Sequence, residues 1–160
     1  MRKNITFAIG SVALIDKVNV SFEFFDFLFN GIGGKAKCIK ECAKLFVNNK
    51  LASSVSLSQI LCIYPTELFE QLGFRKKISE RSLYRNLERI GNNFKFIMEK
   101  YQQVLKKYNL ISEEQFIDFS SSYFEGNKSD LGKFGYSRDN QPGKPQIVFG
   151  ISTGINGIPS

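Results

Sequence analysis

The apolar residues of this chain change their spacing once, after Glu114, and that change restricts the folds open to it. Before it they recur at three- and four-residue intervals, as in helices with one buried face. After it they fall into two short runs, 115–120 and 146–152, each of strand length. The stretch 126–145 between them is rich in Gly, Lys, Asp, Asn and Pro and reads as a loop. Asn156-Gly157 signals a tight reversal, and Ile158-Pro159-Ser160 begins a third strand. A two-stranded ribbon is marginal in water, so this sheet is expected to need more strands than the sequence supplies. The expected fold class is α+β, with a mainly helical region over 1–112 and the first strands of an incomplete sheet over 113–160.

Within the helical region, residues 4–30 are very apolar. Ser21 is a plausible N-cap for a helix over 22–30, with a strand as the competing reading because Phe favours sheets. Gly31-Ile32-Gly33-Gly34 breaks the structure; no Gly-Lys-Ser/Thr follows, so the cluster is a turn and not a phosphate loop. From Lys35 to Asn49, Cys38, Ile39, Cys42, Leu45 and Phe46 mark an amphipathic helix. Ser56-Leu57-Ser58-Gln59 has capping-box spacing and opens a helix to Tyr64, before Pro65. Thr66 to Leu72 forms a short helix closed by Gly73.

Ile78-Ser79-Glu80-Arg81-Ser82-Leu83 reads as another helix start, with Ser79 as cap and Ile78 packed on Leu83 as a hydrophobic staple. Leu83, Leu87 and Ile90 are expected to form its apolar face, while Arg81, Arg85 and Arg89 line another. With the preceding short helix this resembles a helix-turn-helix unit over about 65–91. A longer helix follows from Asn93 to Tyr108, with Phe94, Ile97, Tyr101, Val104 or Leu105, and Tyr108 inward, punctuated by Asn109 and Ser112.

The 160 residues suffice for a real core, and 16 phenylalanines imply aromatic packing within it. No apolar run approaches the ~18 residues that span a bilayer. Arg2-Lys3 and the apolar residues to Ile15 have the outline of a leader peptide, but Asp16-Lys17 follows without a cleavage pattern, so the segment is expected to fold. There is no histidine, and Cys38, Cys42 and Cys62 are too few for a zinc site or a disulfide framework. Reduced core cysteines in a cytoplasmic protein are the expectation, and His-dependent nucleophilic triads are excluded.

The net charge of +7 is concentrated. Ten cations (Arg75, Lys76, Lys77, Arg81, Arg85, Arg89, Lys95, Lys100, Lys106, Lys107) and three anions (Glu80, Glu88, Glu99) lie between 75 and 107, and the remainder of the chain is neutral. Such a patch fits a polyanionic partner, nucleic acid above all, bound in a salt-dependent way. A solvated helix face with Glu80 and Glu88 balancing the arginines is the plainer alternative.

Asp118 stands at the end of a short apolar run and before Ser120-Ser121-Ser122-Tyr123. A buried strand that delivers one Asp at its end is a way to anchor Mg²⁺, while an Asp before Ser also serves as a turn or helix cap.

The stretches Asp118-Phe119-Ser120-Ser121-Ser122-Tyr123-Phe124-Glu125-Gly126, Gly135-Tyr136-Ser137-Arg138-Asp139, Pro145-Gln146-Ile147-Val148-Phe149-Gly150 and Asn156-Gly157-Ile158-Pro159 together resemble the DDE transposases of insertion sequences. The helix from Ile78 to Ile90 is similar to that family's helical region. The resemblance implies a ribonuclease-H-like catalytic domain in which Asp118 is the first of three acidic ligands to two Mg²⁺ ions. It also implies DNA as partner, at terminal inverted repeats, with a homodimer as an option; the arginine row and the charge patch give Arg81, Arg85, Arg89, Lys76 and Lys77 as the expected contacts. Ser120 stands where the family commonly has Thr, and the family's second Asp and Glu lie beyond residue 160. By that reading the chain is an N-terminal part, inactive alone. The alternatives are a small DNA-binding protein that recognises element ends without catalysis, and a decayed product without activity.

Overall fold

The computed structural model describes residues 9–32, 38–123, 125, 130–135, 140 and 143–160. The expectations for Arg2-Lys3, Gly33-Gly34, Lys35 to Lys37, Phe124, Gly126 and Tyr136 to Asp139 lie outside the described residues. Among the described residues seven helices precede a two-stranded antiparallel sheet, so the fold is α+β and mostly helical. The chain divides into two compact units, Met1–Val104 and Leu105–Ser160, a boundary eight residues before the end of the helical region expected at 112. No described helix is long and apolar enough to cross a membrane.

In the first unit the apolar N-terminal segment forms α1 (Gly10–Phe22) and α2 (Phe24–Phe29). Ser21 lies inside α1 and caps nothing. The break falls at Glu23, whose φ of 51° is left-handed, and Asn19 supplies the cap. Its Oδ1 accepts from the Phe25 N–H at 2.9 Å and its Nδ2 donates to Asp26 at 2.8 Å. A side chain reaching forward from α1 thus satisfies an amide at the start of α2 that would otherwise lack a partner.

The amphipathic helix is α3 (Ile39–Ala52), and its buried face carries Cys42 and Leu45, both fully buried. These meet Val12 of α1, Ile60 of α4 (Leu57–Ile63), Leu68 of α5 (Thr66–Gln71) and Leu83 of α6 (Glu80–Asn92) in one cluster. Ile15, Phe25 and Ala43 form a second, with Ile90 packed against it. Two asparagines are buried on α3. Asn49 ties down the α3–α4 turn, donating to the Val55 carbonyl at 2.8 Å and accepting from the Tyr64 hydroxyl at 3.0 Å. Asn48 accepts from the Ser11 hydroxyl at 2.7 Å.

Ser56 and Gln59 form the capping box that their spacing announces. The end of α5 is a Schellman motif: the Gly73 N–H donates to Glu70 O, and the Phe74 N–H to Phe69 O. Gly73 takes the left-handed position at φ +99°, and the rings of Phe69 and Phe74 meet edge-on at 5.6 Å. The same device ends α7 (Phe94–Lys107), with Asn109 at φ 53° and the Leu110 N–H on Leu105 O at 2.8 Å. Phe94, expected inward, is exposed on α7.

In the second unit β1 (Gln115–Tyr123) pairs antiparallel with β2 (Gln146–Gly154), Gln115 opposite Gly154 and Asp118 opposite Ile151. β1 runs three residues beyond the expected end. The reversal at Asn156-Gly157 returns the chain along the far edge of β2, where Thr153 bridges Pro159 and the Ser160 N–H donates to Ser152 O at 3.0 Å. Lys133 bridges Gln146 on that same edge, so β2 is flanked at both ends and β1 lies on the outside. Both faces of the ribbon are apolar and open, with Ile117 and Phe119 on one and Phe116 and Ile151 on the other.

Candidate nucleic-acid interface

The basic face is positioned by the start of α6. Ser79 accepts from the Ser82 N–H at 3.3 Å, and Ile78 and Leu83 lie buried together in the main cluster, as the cap and staple require. With Leu83 inward, helical geometry turns Arg81 and Arg85 to the opposite side, and both are exposed; Arg89 is half-buried at the edge of that face. The inward line of α6 is Leu83 and Asn86, both buried, with Ile90 half-buried, and not Leu83, Leu87 and Ile90. Leu87 is exposed, one step round the helix, beside Tyr84. The sequence signal was ambiguous because Asn86, a polar residue, holds the inner position, its amide donating to Ser82 O at 2.8 Å.

Residues 72–79 join α5 to α6, a connection longer than the three- to four-residue turn of a helix-turn-helix. It carries Arg75, Lys76 and Lys77, all exposed, between two clefts. One, of about 220 Å³, has aromatic walls from Tyr64, Phe69 and Phe74. The other, of about 670 Å³, is bounded by Cys38, Glu41, Ser79 and Ser82. The three cations line both.

Electrostatically this face is unspent. Among the described residues the ion pairs are Lys40 with Asp26, Lys44 with Asp16, and Lys144 with Glu125. None uses a cation of the 75–107 window, so Glu80 and Glu88 do not pair with the arginine row. Lys100 and Lys107 differ in kind: Lys100 lies 4.5 Å from the Phe27 ring and 5.2 Å from that of Phe96, and Lys107 lies 5.0 Å from the Tyr108 ring. Their charge is partly held by those aromatic faces.

Asp118 is elsewhere, in the second unit, and its setting differs from the expected one. It is the fourth residue of a nine-residue strand, not its last, and it is exposed rather than delivered from a buried strand. Phe116 and Ser120 flank it on its face, and Thr153, Ile151 and Phe149 stand across the ladder. Among the described residues no three His, Cys, Asp or Glu side chains gather where a metal ion could sit. A lone carboxylate among apolar and hydroxyl neighbours does not furnish the acidic trio that two Mg²⁺ ions would need, and no metal-dependent step follows from it.

The cysteines depart from the expected core set as well: Cys42 is buried, Cys38 is half-buried against the larger cleft, and Cys62 is exposed. No family model matches the chain, and neither a curated protein nor a solved structure shows significant similarity to it.

Proposed function

We propose that the chain is a DNA-binding protein of the insertion-sequence transposase type, whose helical unit contacts the ends of the element. Arg81, Arg85, Arg89, Lys76 and Lys77 are the contacts, and the segment 115–160 belongs to a ribonuclease-H-like sheet with Asp118 as its first acidic ligand. One observation carries the DNA reading: Arg81 and Arg85 point away from the core with Arg89 at the edge of their face, in none of the ion pairs among the described residues, beside a cationic loop. Phosphates supply what such a surface lacks. The sheet reading is supported by the antiparallel succession of β1, β2 and the returning residues 158–160. A second reading, end recognition without cleavage, is favoured by the apolar and hydroxyl surroundings of Asp118.

Fluorescence anisotropy with a labelled duplex carrying candidate terminal inverted repeats tests the DNA reading. Replacing Arg81, Arg85 and Arg89 by Ala is expected to weaken binding at least about tenfold, as loss of several phosphate contacts does. Unchanged affinity in a folded triple variant would overturn it. Nicking of supercoiled DNA in Mg²⁺, lost in Asp118→Ala, distinguishes the catalytic reading from end recognition alone.

A further inference from the structure

We propose that Cys38 and Cys42 form a peroxide-responsive dithiol, in which Cys38 is oxidised first and Cys42 resolves it to an intramolecular disulfide at the start of α3. This goes beyond the DNA reading and does not rest on it.

Cys38 is the N-cap of α3 and Cys42 lies one turn on, its N–H donating to the Cys38 carbonyl at 2.9 Å. Their surroundings divide the labour. Cys38 opens onto the 670 Å³ cleft, which also holds Arg75, Lys76 and Lys77. Asn86 Nδ2 donates to its sulfur at 3.6 Å. Cys38 is thus the cysteine of the pair that a peroxide in the cleft can reach. Cys42 has no exposed surface, and burial first, then Cys38 beside it, raise its pKa. It therefore remains a thiol until Cys38 presents an electrophilic sulfur.

In the first step the Cys38 thiolate attacks one oxygen of a hydroperoxide. An S–O bond forms and the O–O bond breaks; the departing hydroxide or alkoxide takes a proton, sulfur losing two electrons and the peroxide gaining them. In the second, Cys42 sulfur attacks Cys38 sulfur. The S–S bond forms, the S–O bond breaks, and the departing hydroxide leaves as water with the Cys42 proton.

The disulfide has a structural consequence. Residues four apart on a helix hold their Cβ atoms about 5–6 Å apart, whereas a disulfide requires about 3.5–4.5 Å. The first turn of α3 must therefore shift. Cys38 can move, since it already lies outside helical geometry at φ −138° and ψ 28°. The movement draws its sulfur from Asn86, on the helix that bears the arginine row.

The test uses the full chain carrying Cys62→Ser, because exposed Cys62 could form disulfides between molecules. After hydrogen peroxide, alkylation and trypsin, which cuts after Lys40, mass spectrometry is expected to find peptide 38–40 joined to 41–44 with two hydrogens lost. In Cys42→Ser, dimedone should label Cys38; in Cys38→Ser, Cys42 should stay unlabelled. Circular dichroism checks that each variant folds. If the folded Cys62→Ser protein yields no joined peptide, or if dimedone labels Cys42 while Cys38 remains reduced, the proposal is overturned.

Discussion

At the scale of single residues, the two glycines of β2 look alike in sequence and differ in what surrounds them. A Cβ on Gly150 would meet Phe119 Cε1 at 2.9 Å, but that atom is the far end of an exposed side chain that can swing aside. A Cβ on Gly154 would lie 2.3 Å from Ser112 Cβ, which is fixed to the backbone, and Gly154 is buried. Gly154→Ala is accordingly expected to destabilise the second unit by about 1–3 kcal/mol, as overpacking does, and Gly150→Ala to cost less than about 0.5 kcal/mol. Denaturant unfolding of the two variants checks the order. Asp26 offers a test in pH. The hydrogen bond from Lys40, then that from Asn19, hold its carboxyl below the ordinary value of 3.8. Its folded pKa lies under its unfolded one, so the stabilisation is present above pH 3.8 and is lost as pH falls through the folded value. Both partners are partly exposed, which limits the effect to roughly 0.2–1 kcal/mol. Asp26→Asn should lower unfolding free energy at pH 7, and by progressively less as pH falls through the folded pKa; an equal loss at every pH would show that the ion pair is not the cause.

At the scale of elements, what the sequence made legible was whatever local chemistry determines. The capping box at Ser56, the Gly73 stop, and the Ser79 cap with its Ile78–Leu83 staple all lie within six residues of chain, and each is where spacing put it. The misses required partners from farther away. Asn19 replaced Ser21 as cap because it reaches across the α1–α2 break, and Leu87 lost its inward place to Asn86 because the neighbouring α3 decides which side of α6 is covered. The mid-strand position of Asp118 was missed because the hydroxyl run 120–122, read as the strand's end, continues the ladder opposite Ile147 to Phe149. The staple gives an element-scale expectation. Leu83 is fully buried where α3, α4, α5 and α6 meet, so Leu83→Ala should cost about 2–5 kcal/mol. Leu87→Ala, on the same helix but exposed, should cost under about 0.5 kcal/mol. Equal losses in thermal or denaturant unfolding would mean that the helix packs by the other face.

At the scale of the whole molecule, what counts is where the charge lies. The net +7 sits entirely between residues 75 and 107, and the cations paired within the described structure all lie outside that window. If five of the free cations, Lys76, Lys77, Arg81, Arg85 and Arg89, each neutralise one phosphate, log K should fall with log salt at a slope of about −4.5, since each contact on duplex DNA contributes about −0.9. Removing Arg81 and Arg85 together should then bring the slope to about −2.7, whereas Asp118→Asn should leave it unchanged because that residue is not among the contacts. The slope separates this from a fault in folding. A variant that merely unfolds part of its population binds less at every salt concentration and keeps the parent slope, while one that has lost phosphate contacts converges on the parent as salt rises. Parallel lines for Arg81→Ala/Arg85→Ala would therefore remove α6 from the DNA surface, whatever the loss of affinity at low salt.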